Sequence, residues 1–530
     1  MSKLSSVKPV VVTSSVALLS FGLFASSARA ETYEIREGED LWARLRDLAP
    51  GDEVIVHAGT YTQSSRWEAT WAGTSDMPIV VRAAGGEARP VLTRDGGQNL
   101  MNLHGSYFTF HGFELTGGSH GIRMSDVRFA TLEDLVVHDT GDVGISCNVS
   151  GMSCDHVTIR SSEIYDTNGT GEGLYLGCNG GACAFSDGTI ERNYIHDLGG
   201  EQGDGIEIKQ GSWGNVIRDN VVVRANYPGI TLYSFEAMAG RTSNIIERNL
   251  VWGSNDNGIQ VTGRAIVRNN VVLGATGSGI AVQANMDTPT EVQILFNSVL
   301  GAGDSCIRAS SLDTATGMVI ANNAVYCEGA RAIRITSASS AVVVGNVGLG
   351  SLEGASGGLT MGTSVAADLG AMAMMARVYP PSGSALIDAA DATQTVSDDF
   401  DVRARSGMLD VGAYERESSG MPVWLATEGF KEFGTPMPGV DAGPSTGADA
   451  GTIATTDAAI PPGVDGGPVP DAFIPPGVDG GRVSGVDAGA STNSGGCGCR
   501  AVARGEAHHA LALCLALLGW IASRRRHGRR

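Results

Sequence analysis

DGIEIKQGSWGNVIRDN (residues 204–220) contains the two short motifs that decide the fold of this chain. The first is a Gly-Ile pair that opens a short strand, and the second is a strand that ends on Asn220. Both recur in PGITLYSFEAMAGRTSNIIERN (228–249) and again in NGIQVTGRAIVRNN (257–270). Recurrence at fixed places over tens of residues indicates a repeat architecture.

The repeats have a period of 21 to 32 residues. The Gly-Ile strands begin at His120, Val143, Glu172, Asp204, Pro228, Asn257 and Ser278, with weaker copies at Ser305 and Arg331. The second strands end at Asn193, Asn220, Asn249, Asn270, Asn297, Asn323 and Asn346. Asparagine tolerates left-handed backbone and suits a sharp corner. We therefore predict that these side chains stack at one inner corner as an amide ladder.

Short β-branched strands separated by Gly, Asn and Asp corners predict a parallel β-solenoid. The pattern over about 100–350 resembles the right-handed β-helix of the pectin-lyase-like superfamily, which implies an all-β, right-handed parallel β-helix fold. APGDEVIV (49–56), within a predicted cap and first coils at 31–99, resembles the opening of these proteins. LDVGAYE (409–415), within a closing segment at 351–419, resembles the choice-of-anchor Q region.

The two ends of the chain predict export and anchoring. Lys3 and Lys8, an apolar run and Ala28-Arg29-Ala30 are typical of a signal peptide at 1–30. Residues 420–496 are rich in Pro, Gly, Asp and Ala and predict an unfolded linker.

Residues 497–530 place Cys497 and Cys499 before a short apolar helix and an Arg-rich end. That order resembles the Myxo-type C-terminal sorting tag of myxobacterial surface proteins, which implies anchoring through this cysteine region. A plain tail anchor remains the alternative. We expect the chain to be exported, then held at the outer membrane surface or secreted, with no membrane contact except through this tag.

The net charge of −20 excludes the basic footprint that nucleic acid binding requires. Six cysteines of the expected domain occur in close pairs, and an even count in an exported chain favours disulfides. The pairs are Cys147 with Cys154, Cys178 with Cys183, and Cys306 with Cys327. A zinc site is the minor alternative.

Side chains alternate along a strand, so the residue after each Gly-Ile and the one two places later face outward. In the middle three coils these positions collect Tyr175, Glu207, Lys209 and Tyr233, with Glu172 and Asp204 just before their glycines. We expect Lys209, Glu207, Asp204, Tyr175 and Tyr233 to converge on one open groove, with Lys209 exposed. Only a lysine can be tuned toward neutrality, and this is the only lysine between Lys8 and Lys431.

Residues 193–220 resemble the active-site coils of polysaccharide lyase family six, which includes alginate and chondroitin lyases. The resemblance implies β-elimination on a uronic-acid polysaccharide, with Lys209 as the base. It also implies calcium held by Asp204, Glu207 and Glu172. Tyr233 stands where the family places an arginine and would protonate the leaving oxygen. The expected substrate contacts are Tyr175, Gln260 and Arg123.

Other interpretations remain open. Glu172, Asp204 and Glu207 offer a carboxylate pair for glycoside hydrolysis. The chain could instead be a non-catalytic surface adhesin or glycan-binding protein. His138 and His196 occupy the same corner of two coils, which favours a structural role. We expect a monomer whose partner is an extracellular polysaccharide.

Overall fold

A computed structural model describes residues 30–95, 97–233, 240–284, 289–310, 317–336, 340–370, 378–416, 424 and 426–432. Nearly all of the predicted signal peptide (1–30), most of the linker (420–496) and the whole tag with Cys497 and Cys499 lie outside these residues. None of the helices in the described ranges has the length and hydropathy that a membrane span needs.

The chain winds into coils, and 36 strands of the described residues pair with neighbours in successive coils. All pairings between these strands are parallel, and they form three sheets that run along the coil axis. The first sheet contains Thr32–Ile35, Glu53–Val56, Ile79–Ala83, Thr158–Arg160, Thr189–Glu191, Val216–Arg218, Asn244–Glu247, Ala265–Arg268, Gln293–Leu295, Val319–Ala321 and Val342–Val344. The second contains Thr60–Thr62, Val91–Arg94, Glu114–Gly117, Val136–His138, Glu163–Tyr165, Tyr194–His196, Val221–Val223, Leu250–Trp252, Val271–Leu273, Ser298–Leu300 and Leu359–Met361.

The third sheet contains Glu68–Ala72, Ile145–Cys147, Leu174–Leu176, Ile206–Ile208, Ile230–Leu232, Ile259–Val261, Ile280–Gln283 and Ser305–Ser310. Four long strands bend from one sheet into another: Met101–His111, Ile122–Glu133, Ala324–Ile335 and Asn346–Glu353. The strands Cys154–Asp155 and Phe185–Ser186 pair at a corner. The helical segments are Leu41–Arg44, Val365–Leu369 and the 3-10 turn Asn179–Gly181.

The predicted amide ladder is confirmed. Asn220 Nδ2 donates to Asn249 Oδ1 at 2.9 Å, and Asn249 Nδ2 donates to Asn270 Oδ1 at 3.0 Å. The same bond links every pair from Asn193 to Asn346, and all seven side chains are fully buried. Each amide also donates to a main-chain carbonyl, so the ladder satisfies buried polar groups inside the coil.

One detail of the corner prediction is wrong. The left-handed residue is the one before each ladder asparagine, for example Asp219 (φ 57°), Arg248 (φ 56°) and Phe296 (φ 54°). The asparagine itself must keep both its main-chain N–H and its side chain aligned with the next coil, so its neighbour takes the turn.

In the second sheet, strands such as Val221–Val223 and Val271–Leu273 are buried on both faces. Val222 points into the main core, while Val221 and Val223 point to the other side, where they join a second core. The C-terminal segment, which follows the last strand and runs from Val365 to Lys431, packs against the second sheet through its described residues and contributes Phe400 and Trp424 to that core. The sequence predicted that the folded domain ends at residue 419. Trp424 and Lys431 are nevertheless buried, so folded structure extends to at least Lys431, which is 5% exposed.

All three predicted disulfides are confirmed: Cys147–Cys154, Cys178–Cys183 and Cys306–Cys327. The Cys178–Cys183 bond closes a short loop that follows the third-sheet strand Leu174–Leu176, which pairs with the strand that carries Glu207.

Candidate active site

The candidate site lies on the outer face of the third sheet. Tyr175 pairs in register with Glu207, which pairs with Thr231 in the next coil. Ile206 and Ile208, on either side of Glu207, are fully buried in the main core, so Glu207 faces away from it. The alternation expected from the Gly-Ile motif therefore sets the direction of these side chains.

Lys209 is the centre of the cluster. Its main-chain N–H donates to Leu176 O at 2.8 Å, so Lys209, directly after the strand Ile206–Ile208, is bonded to the previous coil. Its Nζ donates to Glu207 Oε1 and lies 4.5 Å from the centroid of the Tyr175 ring and 4.9 Å from that of Tyr233. An ammonium over aromatic faces is attracted by the ring quadrupole, so the two tyrosines stabilise the charged form.

The expectation of an exposed Lys209 in an open groove is wrong. Lys209 is 4% exposed, and Glu207, Asp204 and Glu172 are 2%, 3% and 0% exposed. The two tyrosine rings flank the ammonium, and the coil before it approaches closely, with Gly177 leaving no side chain in the way. Tyr175 and Tyr233 are half-buried and form the edge of the cluster.

The expectation that Lys209 is tuned toward neutrality is also wrong. Burial alone would lower the pKa of Lys209, but the charges and hydrogen bond of Glu207, with Tyr175 and Asp204 nearby, raise it. Lys209 therefore rests as an ammonium ion. Burial raises the pKa of Glu207 to about 7, even though Lys209 opposes that shift. Glu207 can therefore exchange a proton near neutral pH.

Two further carboxyl groups lie beside this pair. Asp204 Oδ1 accepts a hydrogen bond from Thr231 Oγ1 at 2.5 Å, and burial together with the charge of Glu207 raises the pKa of Asp204 well above its usual value. Burial likewise raises the pKa of Glu172. Glu172 Oε1 and Glu207 Oε2 are buried and have no hydrogen-bond partner. An orphaned buried oxygen is costly and is a feature of functional sites.

Glu172, Asp204 and Glu207 do not form the calcium site that the sequence analysis expected. Among the described residues, one group of three side chains has ligand atoms that all lie within 4.8 Å of one another, and it is Asp155, His156 and Asp187. Each of the three expected carboxyl groups is hydrogen-bonded to another side chain instead: Glu172 to Thr170, Asp204 to Thr231 and Glu207 to Lys209. These residues do not fit a resident divalent cation as they stand.

Two expected substrate contacts lie apart from the cluster. Gln260 is two coils beyond Glu207 and accepts a hydrogen bond from Asn257 at 2.9 Å. Arg123 is two coils before Tyr175 and donates to Asn148 Oδ1 at 2.9 Å. Neighbouring parallel strands are about 4.8 Å apart, so either residue could reach only an adjacent sugar of a bound chain.

Thr170 and Thr231 also contact the cluster, and Asp142 contacts Thr170, although these three were not among the site residues predicted from the sequence. Thr170 Oγ1 lies 2.6 Å from Glu172 Oε2 and 2.8 Å from Asp142 Oδ1. A signal was present, since Asp142 stands two residues before Gly144 and Thr170 stands three residues before Gly173, each just ahead of a Gly-Ile-type strand.

His138 and His196 have structural surroundings. Their rings stack on the two faces of Tyr165 at 5.0 and 5.1 Å, and each Nδ1 contacts the carboxylate of the next residue. This ladder lies on the second sheet, away from the Lys209 cluster.

Two protein families match parts of the chain. The right-handed beta helix region matches residues 95–239, and the periplasmic copper-binding protein (NosD) matches residues 199–348. No curated protein matches.

The chain also resembles solved structures. The complex of XylC with xylose is 11% identical, covers 74% of this chain and 100% of its own, and has a TM-score of 0.53. An alginate lyase from Paenibacillus sp. str. FPU-7 is 21% identical, covers 63% and 98%, and has a TM-score of 0.37. Pectate lyase Pel9A is 15% identical, covers 73% and 96%, and has a TM-score of 0.43. At such identities the likeness concerns the fold alone. The match to the right-handed beta helix region and the three stacked parallel sheets identify the chain as a right-handed parallel β-helix protein.

Proposed function

We propose that this protein is an exported carbohydrate-active enzyme that cleaves a uronic-acid polysaccharide by β-elimination at the Lys209 cluster. The observation that carries the proposal is a buried ammonium, held between two tyrosine rings, beside a carboxyl group whose pKa is about 7. The three disulfides support export, because such bonds persist in oxidising compartments.

β-Elimination needs a positive charge against the sugar carboxylate, a base for the C5 proton and a proton for the leaving O4. Lys209 supplies the charge. Because Lys209 is 4% exposed in the free protein, the half-buried rings of Tyr175 and Tyr233 at the edge of the cluster must turn aside for the substrate to reach it. Glu207 Oε2 has no hydrogen-bond partner and takes the C5 proton, while the electrons of the C5–H bond form the C4–C5 double bond. The C4–O4 bond breaks, and O4 receives a proton from the hydroxyl of Tyr233. No step is assigned to calcium.

Substrate binding makes Glu207 a stronger base. In the free protein the Lys209 ammonium stabilises ionised Glu207. A sugar carboxylate that binds the same ammonium shares its charge and weakens that stabilisation. The basicity of Glu207 therefore rises when the substrate is in place, as efficient proton abstraction requires.

The test incubates the purified domain with alginate, polygalacturonate, chondroitin and hyaluronan and follows the ultraviolet absorbance of unsaturated uronic products. We expect turnover on one of them and a fall of about 100-fold or more for Glu207→Gln, the range for loss of a proton-transfer group. Lys209→Met should lose activity similarly. Lys431→Met, which removes the other buried lysine, should lower stability and leave kcat unchanged. Full activity of Glu207→Gln would reject Glu207 as the base.

A second candidate function is glycan binding without cleavage. A groove of about 640 Å³ runs along another corner of the coils and is lined by polar side chains that include Asn168, Asp197, Asn226 and Asn255. Amide and carboxylate groups suit the hydroxyl groups of a glycan. Retention on a polysaccharide column with no unsaturated product would favour this function over the first.

A further inference from the structure

A row of polar side chains leads from the Lys209 cluster to the protein surface. Glu172 Oε2 lies 2.6 Å from Thr170 Oγ1, which lies 2.8 Å from Asp142 Oδ1. Asp142 Oδ2 is 3.5 Å from His120 Nε2, and His120 Nδ1 is 2.8 Å from Ser146 Oγ. Glu172 is fully buried, whereas Thr170 is exposed and the Asp142 side chain is 31% exposed. The row therefore joins a buried carboxyl group to solvent.

The two contacts of the Thr170 hydroxyl with carboxyl oxygens need one more hydrogen than the hydroxyl itself can supply. A threonine hydroxyl has one hydrogen and two acceptor lone pairs. Thr170 Oγ1 stands between two carboxyl oxygens and can donate to only one of them. If both carboxyl groups were ionised, the second contact would set a negative oxygen against a hydroxyl lone pair. One of the two carboxyl groups must supply the missing hydrogen.

Asp142 is the ionised member of the pair. Its Oδ1 also accepts from the main-chain N–H of Thr170 at 2.9 Å, and its Oδ2 faces the His120 ring. Burial alone would raise the pKa of Asp142, but the hydrogen bonds from His120 and Thr170 lower it to about 2. Glu172 has the opposite surroundings, since its Oε1 is buried without a partner.

We propose that Glu172 rests as a neutral carboxylic acid that donates to Thr170 Oγ1, and that Thr170 donates to ionised Asp142, so that these three side chains carry protons between the buried cluster and water. This inference rests on the proposed function for its role in turnover, namely removal of the proton that Glu207 takes from C5. In one transfer the proton on Glu207 Oε2 passes through a water molecule to Glu172 Oε1, and Glu172 releases the proton on its Oε2 to Thr170. Thr170 passes its own hydrogen to Asp142, which releases it to water.

The charges around Glu172 are consistent with this state. Burial raises the pKa of Glu172, and the hydrogen bond from Thr170 and the positive charge of Lys209 only partly oppose it. The other ionisable groups that act on it are Asp142, Asp204, Glu207 and Tyr175, all of which disfavour a further negative charge when ionised.

Infrared spectroscopy tests the protonation directly. At neutral pH the spectrum of the folded domain should contain a protonated-carboxyl C=O band that is lost in Glu172→Gln. Thr170→Val should keep that band and move it to higher frequency, because the acid loses its acceptor, and Thr170→Ser should leave it in place. Identical carboxyl bands in the wild type and Glu172→Gln would overturn the proposal. If Glu172→Gln does not fold, the band shift in Thr170→Val decides in its place.

Kinetics test the path. We expect Thr170→Val to lower kcat on the order of 100-fold and to raise the solvent deuterium isotope effect, and Thr170→Ser to restore both. The matched control is Thr167→Val, because Thr167 Oγ1 donates to Gly171 O and lies outside the row. Wild-type turnover and isotope effect in Thr170→Val would overturn the path. If the wild type cleaves no polysaccharide, the proposed function fails, while the infrared result still decides the state of Glu172.

Discussion

Lys431 Nζ donates to Asp219 Oδ1 at 2.9 Å, which joins the C-terminal segment to a corner of the β-helix across 212 residues of sequence. The same ammonium donates to Phe400 O at 2.6 Å and to Arg248 O at 3.1 Å, and it lies over the Phe400 ring. Asp219 also pairs with Arg248. The C-terminal segment is thus bonded to the β-helix by a buried charge as well as by apolar packing.

Lys431→Met tests this link. The substitution leaves buried Asp219 with one cation fewer, and breaking a buried pair from one side costs about 3–5 kcal/mol. We expect the free energy of unfolding to fall by that amount in urea titration. A domain that ends at residue 419 should lose at least as much, because it also lacks Trp424. A truncated domain as stable as one that ends at residue 432 would show that the segment is dispensable.

The amide ladder gives a second prediction. Asn249→Ala removes the acceptor of the Asn220 N–H and side-chain amide and the donor to Ile217 O, which leaves several buried groups without partners. Each unpaired group costs about 1–3 kcal/mol, so we expect a loss of at least about 3 kcal/mol from these three groups.

The control for the ladder is Asn255→Ala, at an exposed asparagine of the same coil. Its effect on the free energy of unfolding should stay within about 0.5 kcal/mol. Equal effects of the two substitutions would mean that ladder bonds contribute no more than a surface contact.

Glu207 makes stability depend on pH. The folded protein keeps the Glu207 proton up to about pH 7, whereas the unfolded chain loses it near 4.5. Between these values the folded state binds more protons, so the free energy of unfolding falls as pH rises. The raised pKa values of Asp204 and Glu172 act in the same direction.

Glu207→Gln should therefore make this pH dependence shallower. The measurement is urea unfolding of the wild type and the variant across the interval from 4.5 to about 7. Relative to the wild type, the variant should gain stability as pH rises. Parallel curves would show that Glu207 does not hold its proton in the folded state.

The sequence predicted the fold well because the fold depends on a repeated local signal. An Ile-x-x-Asn sequence in consecutive repeats gives both the corner and the internal hydrogen bonds that stack one coil on the next. The left-handed position before the asparagine was missed, because it is occupied by residues as different as Arg192, Asp219 and Phe296. The backbone of the coil, and not the residue type, imposes that conformation.

The sequence predicted which side chains of the central coils lie together, but it did not predict their burial or their charge. The alternation along the strands brought Tyr175, Glu207, Lys209 and Tyr233 together. Burial of Lys209 depends on how neighbouring coils and side chains pack over the sheet, which no local pattern encodes. The pKa of Lys209 followed from that packing, since a buried ammonium keeps its proton when a carboxylate is in direct contact.

Gly177 provides the last prediction, because it sets the approach of one coil to Lys209. Its φ is 95°, and a Cβ added there would lie 2.9 Å from Ser212 Oγ and 3.1 Å from Lys209 Cβ. Gly177→Ala should displace Lys209 and weaken its contact with Glu207, in addition to straining the backbone. We expect a loss of about 1–3 kcal/mol of stability and a marked fall in kcat.

Gly180→Ala is the matched control, since Gly180 lies three residues away, in the loop closed by the Cys178–Cys183 disulfide, with φ 65° and nothing within 4 Å of an added Cβ. Gly180→Ala also places a side chain on left-handed backbone, but its added Cβ does not contact Lys209. Calorimetry should therefore show destabilisation in both variants, while the fall in kcat should be confined to Gly177→Ala. Equal kcat values in the two variants would mean that the position of Lys209 does not control turnover, because only Gly177→Ala moves it.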